Sequence, residues 1–306
     1  MKKRKIDFTK ITDDKFYKLV NETTKGWVRE QCLEYATPKQ CNYLAEYAKT
    51  GEVAMMFARK LLPNATSSQC TYLVRWAKTD EVAMMFAKKL LPDATPEQCE
   101  YLAKYVKTAK IAMMFARKLL PNATSKQCKD LAKDAKTDEV AMMFAKKLLP
   151  DATSKQCMLL AKHGKSIKVA MMFAKKLLPN ATPRQCMYIA EYTFNDEIAT
   201  MFAKKLLPTT TSEQCEHLAA HGDTEEIAMM FAKRLFPLAT PKQCNYLAVR
   251  GKTTEIAEMF AKKLLPDVTP EQCKDLAVWG MSGAIREMFQ EKWEELSEAE
   301  YYKQFL

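Results

Sequence analysis

Nine pairs of adjacent residues, spaced 29 residues apart, differ in side-chain type while the sequence around them hardly changes. We number each 29-residue repeat from position 1, which is Ala36 in the first copy, so the pairs occupy positions 12 and 13. They are Tyr47-Ala48, Trp76-Ala77, Tyr105-Val106, Asp134-Ala135, His163-Gly164, Tyr192-Thr193, His221-Gly222, Arg250-Gly251 and Trp279-Gly280. Rings, imidazoles, a guanidinium and a carboxylate can stack and form hydrogen bonds. Such a row is typical of a surface that reads an extended ligand, one element per repeat.

Position 8 varies in a similar way and lies one helical turn before position 12, on the same face of a helix. Its residues are Tyr43, Tyr72, Tyr101, Asp130, Leu159, Tyr188, His217, Tyr246 and Asp275. A solvent-exposed face can also drift freely, and aromatic pairs four residues apart stabilise helices without any ligand. A drifting face would be mostly Lys, Glu and Ser. Seven of the nine residues at position 12 are aromatic or histidine, which favours binding.

Basic residues form two sets beside these pairs. The first precedes the start of the second helix, where a cation near free backbone amides suits an anion such as phosphate; it comprises Lys49, Lys78, Lys107, Lys136, Lys165 and Lys252. The second is an Arg-Lys or Lys-Lys pair at positions 24 and 25, such as Arg59-Lys60. We expect the second set to complement the dipole at the end of its own helix. The paired methionines, such as Met55-Met56, are interpreted as core residues.

Two helices in each repeat must position these side chains. Thr, then Pro or Ser, then any residue and Gln forms a capping box, as in Thr37–Gln40, and predicts the start of a helix. A second N-cap follows at Thr50 and its equivalents, and the second helix ends at a proline such as Pro63. Its apolar residues lie nearly all round, so neighbouring repeats must cover it.

The 29-residue period, marked by cysteines from Cys41 to Cys273, therefore predicts an all-α fold. We expect a right-handed α-solenoid, a superhelix of two-helix repeats with helical caps. The predicted parts are an N-terminal helical cap over residues 1–35, nine repeats over 36–296 and a C-terminal tail over 297–306. Cysteines on neighbouring stacked helices, roughly 8–10 Å apart, are too distant for disulfides. They are expected to be buried, free thiols of a reducing compartment.

Composition narrows the function classes. The 48 Lys and Arg residues exceed the 37 Asp and Glu residues, and the net charge of +11 attracts polyanions. Part of the excess is the N-terminal run Lys2–Lys5. No apolar segment is long enough for a membrane span or a secretory signal, so we expect an intracellular protein that does not bind membranes. We also expect the protein to be a monomer. With three histidines, no close cysteine pair and seven glycines, the sequence predicts neither a metal site nor an enzyme, and no cofactor.

The repeats resemble those of transcription activator-like effectors, which are modular DNA-binding proteins. The resemblance lies in the pattern T-P-x-Q-x-x-x-[L/I]-A, followed by a variable dipeptide and a helix that ends in L-L-P. Thr182–Ala190 and Leu206–Pro208 match it closely. In that family the dipeptide at positions 12 and 13 reads one base of DNA, and the His-Gly pair of His163-Gly164 is one that the family uses for thymine. The resemblance implies that all nine pairs read bases and that the turn lysines bind phosphates.

The repeats also depart from that family. Family repeats are longer and carry Gly-Gly after the dipeptide, where this chain has Lys-Thr followed by acids such as Glu52. Bulky Tyr and Trp residues suit splayed single-stranded bases better than a duplex groove. The first hypothesis is sequence-selective binding of nucleic acid, one base per repeat, with DNA favoured by the resemblance and a single strand by the residue types. The alternative is a protein-interaction α-solenoid that binds a peptide or protein along its variable face.

Overall fold

The computed structural model describes residues 6–303, in which every regular element is an α-helix or a 3-10 turn. The basic run Lys2–Lys5 lies outside the described residues, as do residues 304–306. Within the described residues there is no strand, and the helices alternate in two-helix repeats. The all-α, two-helix-repeat solenoid predicted from the sequence is confirmed.

The chain begins with a 3-10 turn at Phe8–Lys10 and two helices, α1 (Asp13–Glu22) and α2 (Gly26–Tyr35). The buried side chains of Phe16, Val20, Val28 and Cys32 face the first repeat. Helix α1 packs on the first helix of that repeat, and α2 packs on its second helix. The predicted N-terminal cap therefore extends both helix rows by one helix each.

Each repeat starts with a ten-residue helix. These helices are α3 (Pro38–Tyr47), α5 (Ser67–Trp76), α7 (Pro96–Tyr105), α9 (Ser125–Asp134), α11 (Ser154–His163), α13 (Pro183–Tyr192), α15 (Ser212–His221), α17 (Pro241–Arg250) and α19 (Pro270–Trp279). All nine begin with the predicted capping box, in which the Thr hydroxyl accepts from the Gln amide and the Gln side chain accepts from the Thr amide. Position 12 is the last residue of every first helix.

The second helices have eleven residues in the first eight repeats. They are α4 (Gly51–Leu61), α6 (Asp80–Leu90), α8 (Ala109–Leu119), α10 (Asp138–Leu148), α12 (Ile167–Leu177), α14 (Asp196–Leu206), α16 (Glu225–Leu235) and α18 (Thr254–Leu264). Each continues into a 3-10 turn that contains the repeat proline: Leu62–Asn64, Leu91–Asp93, Leu120–Asn122, Leu149–Asp151, Leu178–Asn180, Leu207–Thr209, Phe236–Leu238 and Leu265–Asp267. Proline has no N–H to continue the hydrogen bonds of the α-helix, so the α-helix ends before it.

The second helix of the ninth repeat is different, because it lacks the Leu-Leu-Pro sequence that ends the others. Helix α20 (Gly283–Lys303) has 21 residues and runs without a break through residue 297, where the tail was predicted to begin. The predicted boundary between the ninth repeat and a C-terminal tail is therefore not a structural boundary within the described residues.

The chain divides between Ala152 and Thr153 into two compact units. The first unit holds the cap and four repeats, and the second holds five repeats. Within each unit, first helices pack on first helices and second helices pack on second helices, so each unit has two helix layers.

The core lies between these two layers. Each first helix buries a cysteine, a leucine or isoleucine, and an alanine or valine at positions 6, 9 and 10, except that Ala277 of the ninth repeat is half-buried. Each second helix centres on a phenylalanine at position 22, such as Phe115 and Phe231, which has 0% exposure. Burying one such ring contributes roughly 1.5–3 kcal/mol. The ten cysteines are buried and form no disulfides, as predicted, and burial raises the pKa of the Cys32 thiol to about 11.

We call the side-chain hydrogen bonds that connect successive repeats polar joints. Two residues of the repeat form them, and the first is the capping glutamine at position 5. Its side-chain amide also donates to position 7 of the preceding repeat: Gln98 Nε2 lies 3.0 Å from Thr71 Oγ1, and Gln127 Nε2 lies 2.9 Å from Glu100 Oε2. In the second unit Gln243 contacts a Glu216 oxygen at 3.1 Å. One residue thus caps its own helix and bonds to the previous one.

The lysine at position 25 forms the second joint and corrects one expectation from the sequence. Lys89 Nζ donates to the carbonyl oxygens of Leu62 at 2.5 Å and Pro63 at 2.7 Å, at the end of the preceding second helix. Lys60, Lys118, Lys147, Lys205 and Lys263 make equivalent bonds. These cations complement the dipole and free carbonyls of the preceding helix rather than those of their own.

Replacing Lys89 by methionine should lower the free energy of unfolding by about 1–2 kcal/mol, because two carbonyl groups lose a charged donor. Urea unfolding followed by far-ultraviolet circular dichroism measures this loss. The matched control is Lys88→Met, which removes an exposed ammonium at position 24 of the same helix and should change stability by less than about 0.5 kcal/mol. Equal losses in the two variants would contradict the assignment of the joint to position 25.

Candidate functional site

The side chains at positions 8, 11 and 12 form what we call the variable face. Within each unit they repeat along the row of first helices, on the side away from the buried positions 6, 9 and 10. Tyr47 has 56% of its surface exposed, Trp76 has 45% and Trp279 has 70%. Tyr105 and His163 are half-buried. Position 12 therefore lies at the surface in all nine repeats.

Position 13 does not share this exposure, which weighs against the predicted base-reading role of its residues, and that role stays a prediction. Seven of them are buried and two, Ala77 and Gly164, are half-buried; the set is Ala48, Ala77, Val106, Ala135, Gly164, Thr193, Gly222, Gly251 and Gly280. The residue is the C-cap of the first helix, and its extended backbone points the side chain at the start of the second helix. A Cβ at Gly222 would meet Ile227 Cγ2 at 3.1 Å.

The turn lysines at position 14 are exposed, as the sequence suggested: Lys49, Lys78, Lys107, Lys136, Lys165 and Lys252. Their charge is not isolated. At positions 14–17 the first unit has five cations (Lys49, Lys78, Lys107, Lys110, Lys136) and five acids (Glu52, Asp80, Glu81, Asp138, Glu139). The second unit has three cations (Lys165, Lys168, Lys252) and six acids (Asp196, Glu197, Asp223, Glu225, Glu226, Glu255). These turns therefore carry no net positive charge in either unit.

The backbone of position 14 has a clearer structural role. Its N–H group donates to a carbonyl near the end of the preceding first helix, as in Lys78 N to Ala45 O at 3.0 Å and Lys252 N to Ala219 O at 3.0 Å. The following N-cap also occupies an amide of the second helix: the Thr50 hydroxyl accepts from Val53 N. A phosphate at these turns would find fewer free amides than the sequence suggested.

Position 11 connects neighbouring repeats on the variable face. We call the group formed by positions 11 and 12 of one repeat and positions 8 and 12 of the next a junction. In the junction between the second and third repeats, Arg75 donates to the Tyr101 hydroxyl. Its guanidinium carbon lies 4.4 Å from the Trp76 ring centroid and 5.0 Å from the Tyr101 and Tyr105 centroids. Three rings therefore surround one cation.

The junction between the fifth and sixth repeats has the same arrangement with a lysine. Lys162 Nζ donates to the Tyr188 hydroxyl at 2.9 Å and lies 4.5 Å from the Tyr188 ring centroid and 5.0 Å from that of Tyr192. The ring at position 12 of the fifth repeat is His163, which lies 6.4 Å from the Phe194 ring.

Other junctions are held by different pairs of complementary side chains. Glu191 Oε2 lies 3.0 Å from His217 Nε2, and Lys104 Nζ lies 3.1 Å from Asp134 Oδ2. Where position 11 is an alanine, Ala220, the neighbouring His221 instead lies 3.3 Å from the Tyr246 hydroxyl. The variable side chains of adjacent repeats therefore hold one another in place.

The first junction combines aromatic rings with a carboxylate. Hydrogen bonding to the Glu46 carboxylate raises the pKa of the Tyr47 and Tyr72 phenols, while the contact between the two phenols lowers the pKa of Tyr47 and raises that of Tyr72. Tyr43 stacks on Tyr17 of helix α1, with centroids 3.9 Å apart, and lies 4.9 Å from the Tyr47 ring. The row of rings thus begins in the N-terminal cap.

The variable face is nearly neutral in each unit. In the first unit its cations are Arg75, Lys104 and Lys133 and its acids are Glu46, Asp130 and Asp134. In the second unit Lys162 and Arg250 balance Glu191 and Asp275. The basic excess of the described residues lies instead at positions 24 and 25 of the second helices, whose position 25 lysines bind carbonyl groups of the preceding repeat.

Position 11 is the functional position that the sequence reasoning missed. A signal was present, because charged residues at position 11 face a complementary residue at position 8 of the next repeat, as Arg75 faces Tyr101 and Glu191 faces His217. That correlation is visible only when residues 26 apart are compared, across the boundary between repeats.

Among the described residues, no group of three or more His, Cys, Asp or Glu side chains is arranged to hold a metal ion. No helix in this part of the chain is both long enough and apolar enough to cross a membrane.

No protein-family model and no curated protein matches the chain. Two solved structures are similar at low levels. A Sel1 repeat protein from Oxalobacter formigenes has 10% identity and a TM-score of 0.27, over 90% of this chain and 96% of the other. A protective antigen present in uropathogenic Escherichia coli strains, which displays an SLR fold, has 12% identity and a TM-score of 0.24, over 90% of this chain and 72% of the other. Structural similarity at this level gives no information about what this chain binds.

The contact between Lys162 and Tyr188 should be measurable as a coupling. Lys162→Met and Tyr188→Phe should each destabilise the protein slightly, and together they should show a coupling energy of about 0.5–1 kcal/mol. The measurement is urea unfolding of the two single variants and the double variant. Lys162→Met combined with Tyr246→Phe, three repeats further on, is the control pair and should be additive. A coupling of zero for Lys162 and Tyr188 would remove the junction as an energetic unit.

Proposed function

We propose that this chain is a helical repeat protein that binds a polypeptide along its variable face. The observation that carries the proposal is the row of partly exposed Tyr, Trp and His side chains at positions 8 and 12, set in a surface of balanced charge. Tyr, Trp and Arg are the residues that most often dominate binding energy at protein interfaces. One large side chain in each repeat suits an extended or helical segment that crosses several repeats.

The junctions support this proposal because they preorganise the face. Hydrogen bonds and ring contacts from position 11 hold Tyr101, Tyr188 and His217 in one orientation before any partner arrives. A side chain that is already ordered loses less conformational entropy on binding. The differences between junctions also supply specificity, since an aromatic pair, an imidazole pair and an aspartate pair favour different partner residues.

Trp76→Ala and Tyr105→Ala should each weaken binding of the partner polypeptide by about tenfold or more, because large buried aromatic anchors are worth 2 kcal/mol or more at an interface. A partner segment is first selected from a displayed random-peptide library, and its affinity is then measured by calorimetry. Lys146→Ala, an exposed position 24 residue on the second-helix side, is the matched control and should bind as the native chain does. If no peptide is selected, or if Lys146→Ala is as damaging, the variable face is not the binding surface.

A second candidate is the binding of single-stranded nucleic acid. It is favoured by the exposed rings, on which bases can stack, and by the exposed lysines at position 14 beside them. The resemblance to transcription activator-like effector repeats supports this candidate, although the buried position 13 leaves position 12 alone to contact a base. The balanced charge of the variable face and of the turns weighs against a phosphate backbone running along it.

Salt dependence separates the two candidates. For nucleic acid, the logarithm of the binding constant should fall steeply with the logarithm of salt concentration, with a slope of about −0.7 for each phosphate contacted on a single strand. Fluorescence anisotropy with labelled single-stranded and duplex oligonucleotides, from low to physiological salt, measures the slope. The substitutions Lys78→Ala and Lys107→Ala remove turn lysines and should make this slope less steep. Weak, salt-insensitive binding of every oligonucleotide would leave the polypeptide as the partner.

A further inference from the structure

We infer that the first junction is a binding subsite for a cationic side chain, Arg or Lys, of the polypeptide partner. This inference rests on the proposed function and names the partner residue that one part of the variable face would take. The subsite is formed by the rings of Tyr47 and Tyr72 and the carboxylate of Glu46, with Trp76 at its edge.

The argument begins with the two junctions that already contain a cation. Between the second and third repeats, Arg75 lies against Trp76, Tyr101 and Tyr105. Between the fifth and sixth repeats, Lys162 lies against Tyr188 and Tyr192 and bonds to the Tyr188 hydroxyl. In both cases the cation comes from position 11, and the rings come from positions 8 and 12. The repeat geometry therefore places a positive charge against this set of rings twice, using two different residue types.

The first junction has the same set of rings and the opposite charge at position 11. Tyr47, Tyr72 and Trp76 occupy the positions that Trp76, Tyr101 and Tyr105 occupy one repeat later. Position 11 is Glu46 instead of Arg75. The ring arrangement that holds a cation elsewhere in the chain thus has a carboxylate here and receives no cation from its own position 11.

Glu46 occupies the position from which Arg75 and Lys162 reach the rings of their own junctions. Its carboxylate accepts from the Tyr47 and Tyr72 hydroxyls, which are neutral donors. Among the ion pairs of the described residues, none involves Glu46. The same carboxylate type at position 11 of the sixth repeat, Glu191, does have a positive partner within hydrogen-bond distance when His217 is protonated.

Exposure makes the subsite accessible. Tyr47 and Tyr72 are exposed and Glu46 is half-buried, so an incoming guanidinium or ammonium group can approach the rings from solvent. The Arg75 guanidinium covers Trp76 at 4.4 Å and bonds to Tyr101 in the next junction. A ligand cation is thus expected to bind Tyr47, Tyr72 and Glu46 rather than Trp76. Rings plus a carboxylate favour a cation through the ring quadrupoles and direct charge attraction.

The test uses the full chain and N-acetyl-arginine amide as the probe, with N-acetyl-glutamine amide as the neutral control compound. Titration followed by backbone amide NMR should give saturable shifts for residues in α3 and α5 with the arginine probe and none with the glutamine probe. Glu46→Gln should weaken the arginine probe by about fivefold through loss of the charge.

The decisive variant is Glu46→Arg, which supplies at the first junction the cation that Arg75 supplies at the next. It should fold, because arginine occupies this position one repeat later, and it should lose saturable binding by about tenfold or more. Glu52→Gln, an exposed carboxylate in the same repeat, is the matched control and should bind the probe as the native chain does. Circular dichroism melting confirms that the variants are folded.

Absence of saturable shifts in the native chain, or equal probe affinity in Glu46→Arg, would overturn the subsite. These outcomes differ from failure of the proposed function. Peptides selected from the library could still bind through Trp76 and Tyr105 without a basic residue at the first junction, whereas a chain that selects no peptide would remove the polypeptide partner altogether.

Discussion

The structure depends on one constraint: a single pair of helices cannot cover its own apolar surface or satisfy its own chain ends. The phenylalanine at position 22 is fully buried only because helices of the neighbouring repeats pack around it. At the ends of several second helices the free carbonyls receive the lysine of the next repeat, as Leu62 and Pro63 receive Lys89. Each repeat therefore completes the one before it, and stacking is obligatory rather than favourable by chance.

Because positions 5, 6, 9, 22 and 25 meet these demands, positions 8, 11 and 12 are free to differ. The scaffold determines where the variable side chains lie, but it does not determine which residue types occupy these positions. Contacts between repeats then restrict that freedom, because a residue at position 11 must suit position 8 of the next repeat, as Lys162 suits Tyr188. The repeats are consequently not independent modules, and the identity of one repeat influences the side-chain orientation of its neighbour.

Charge is distributed according to the same logic. The basic excess of the chain is concentrated at the ends of the second helices, where position 25 lysines bind carbonyl groups of the preceding repeat and position 24 cations lie at the surface. The variable face, in contrast, is balanced in both units. Net charge is therefore a poor guide to the partner here, because much of it stabilises helix ends.

The sequence by itself determined the helices, their caps and the core, because capping boxes, N-caps, prolines and the 29-residue period act over a few residues of the chain. It also placed Tyr47, Trp76 and the other position 12 residues at the surface. Only the tertiary structure decided that the position 13 side chains turn inward, that Lys89 bonds to the preceding helix, and that Glu46, Tyr47 and Tyr72 meet at one junction. These features involve a turn between two packed helices or contacts about 26 residues apart, and local sequence patterns do not specify how one repeat is set against the next.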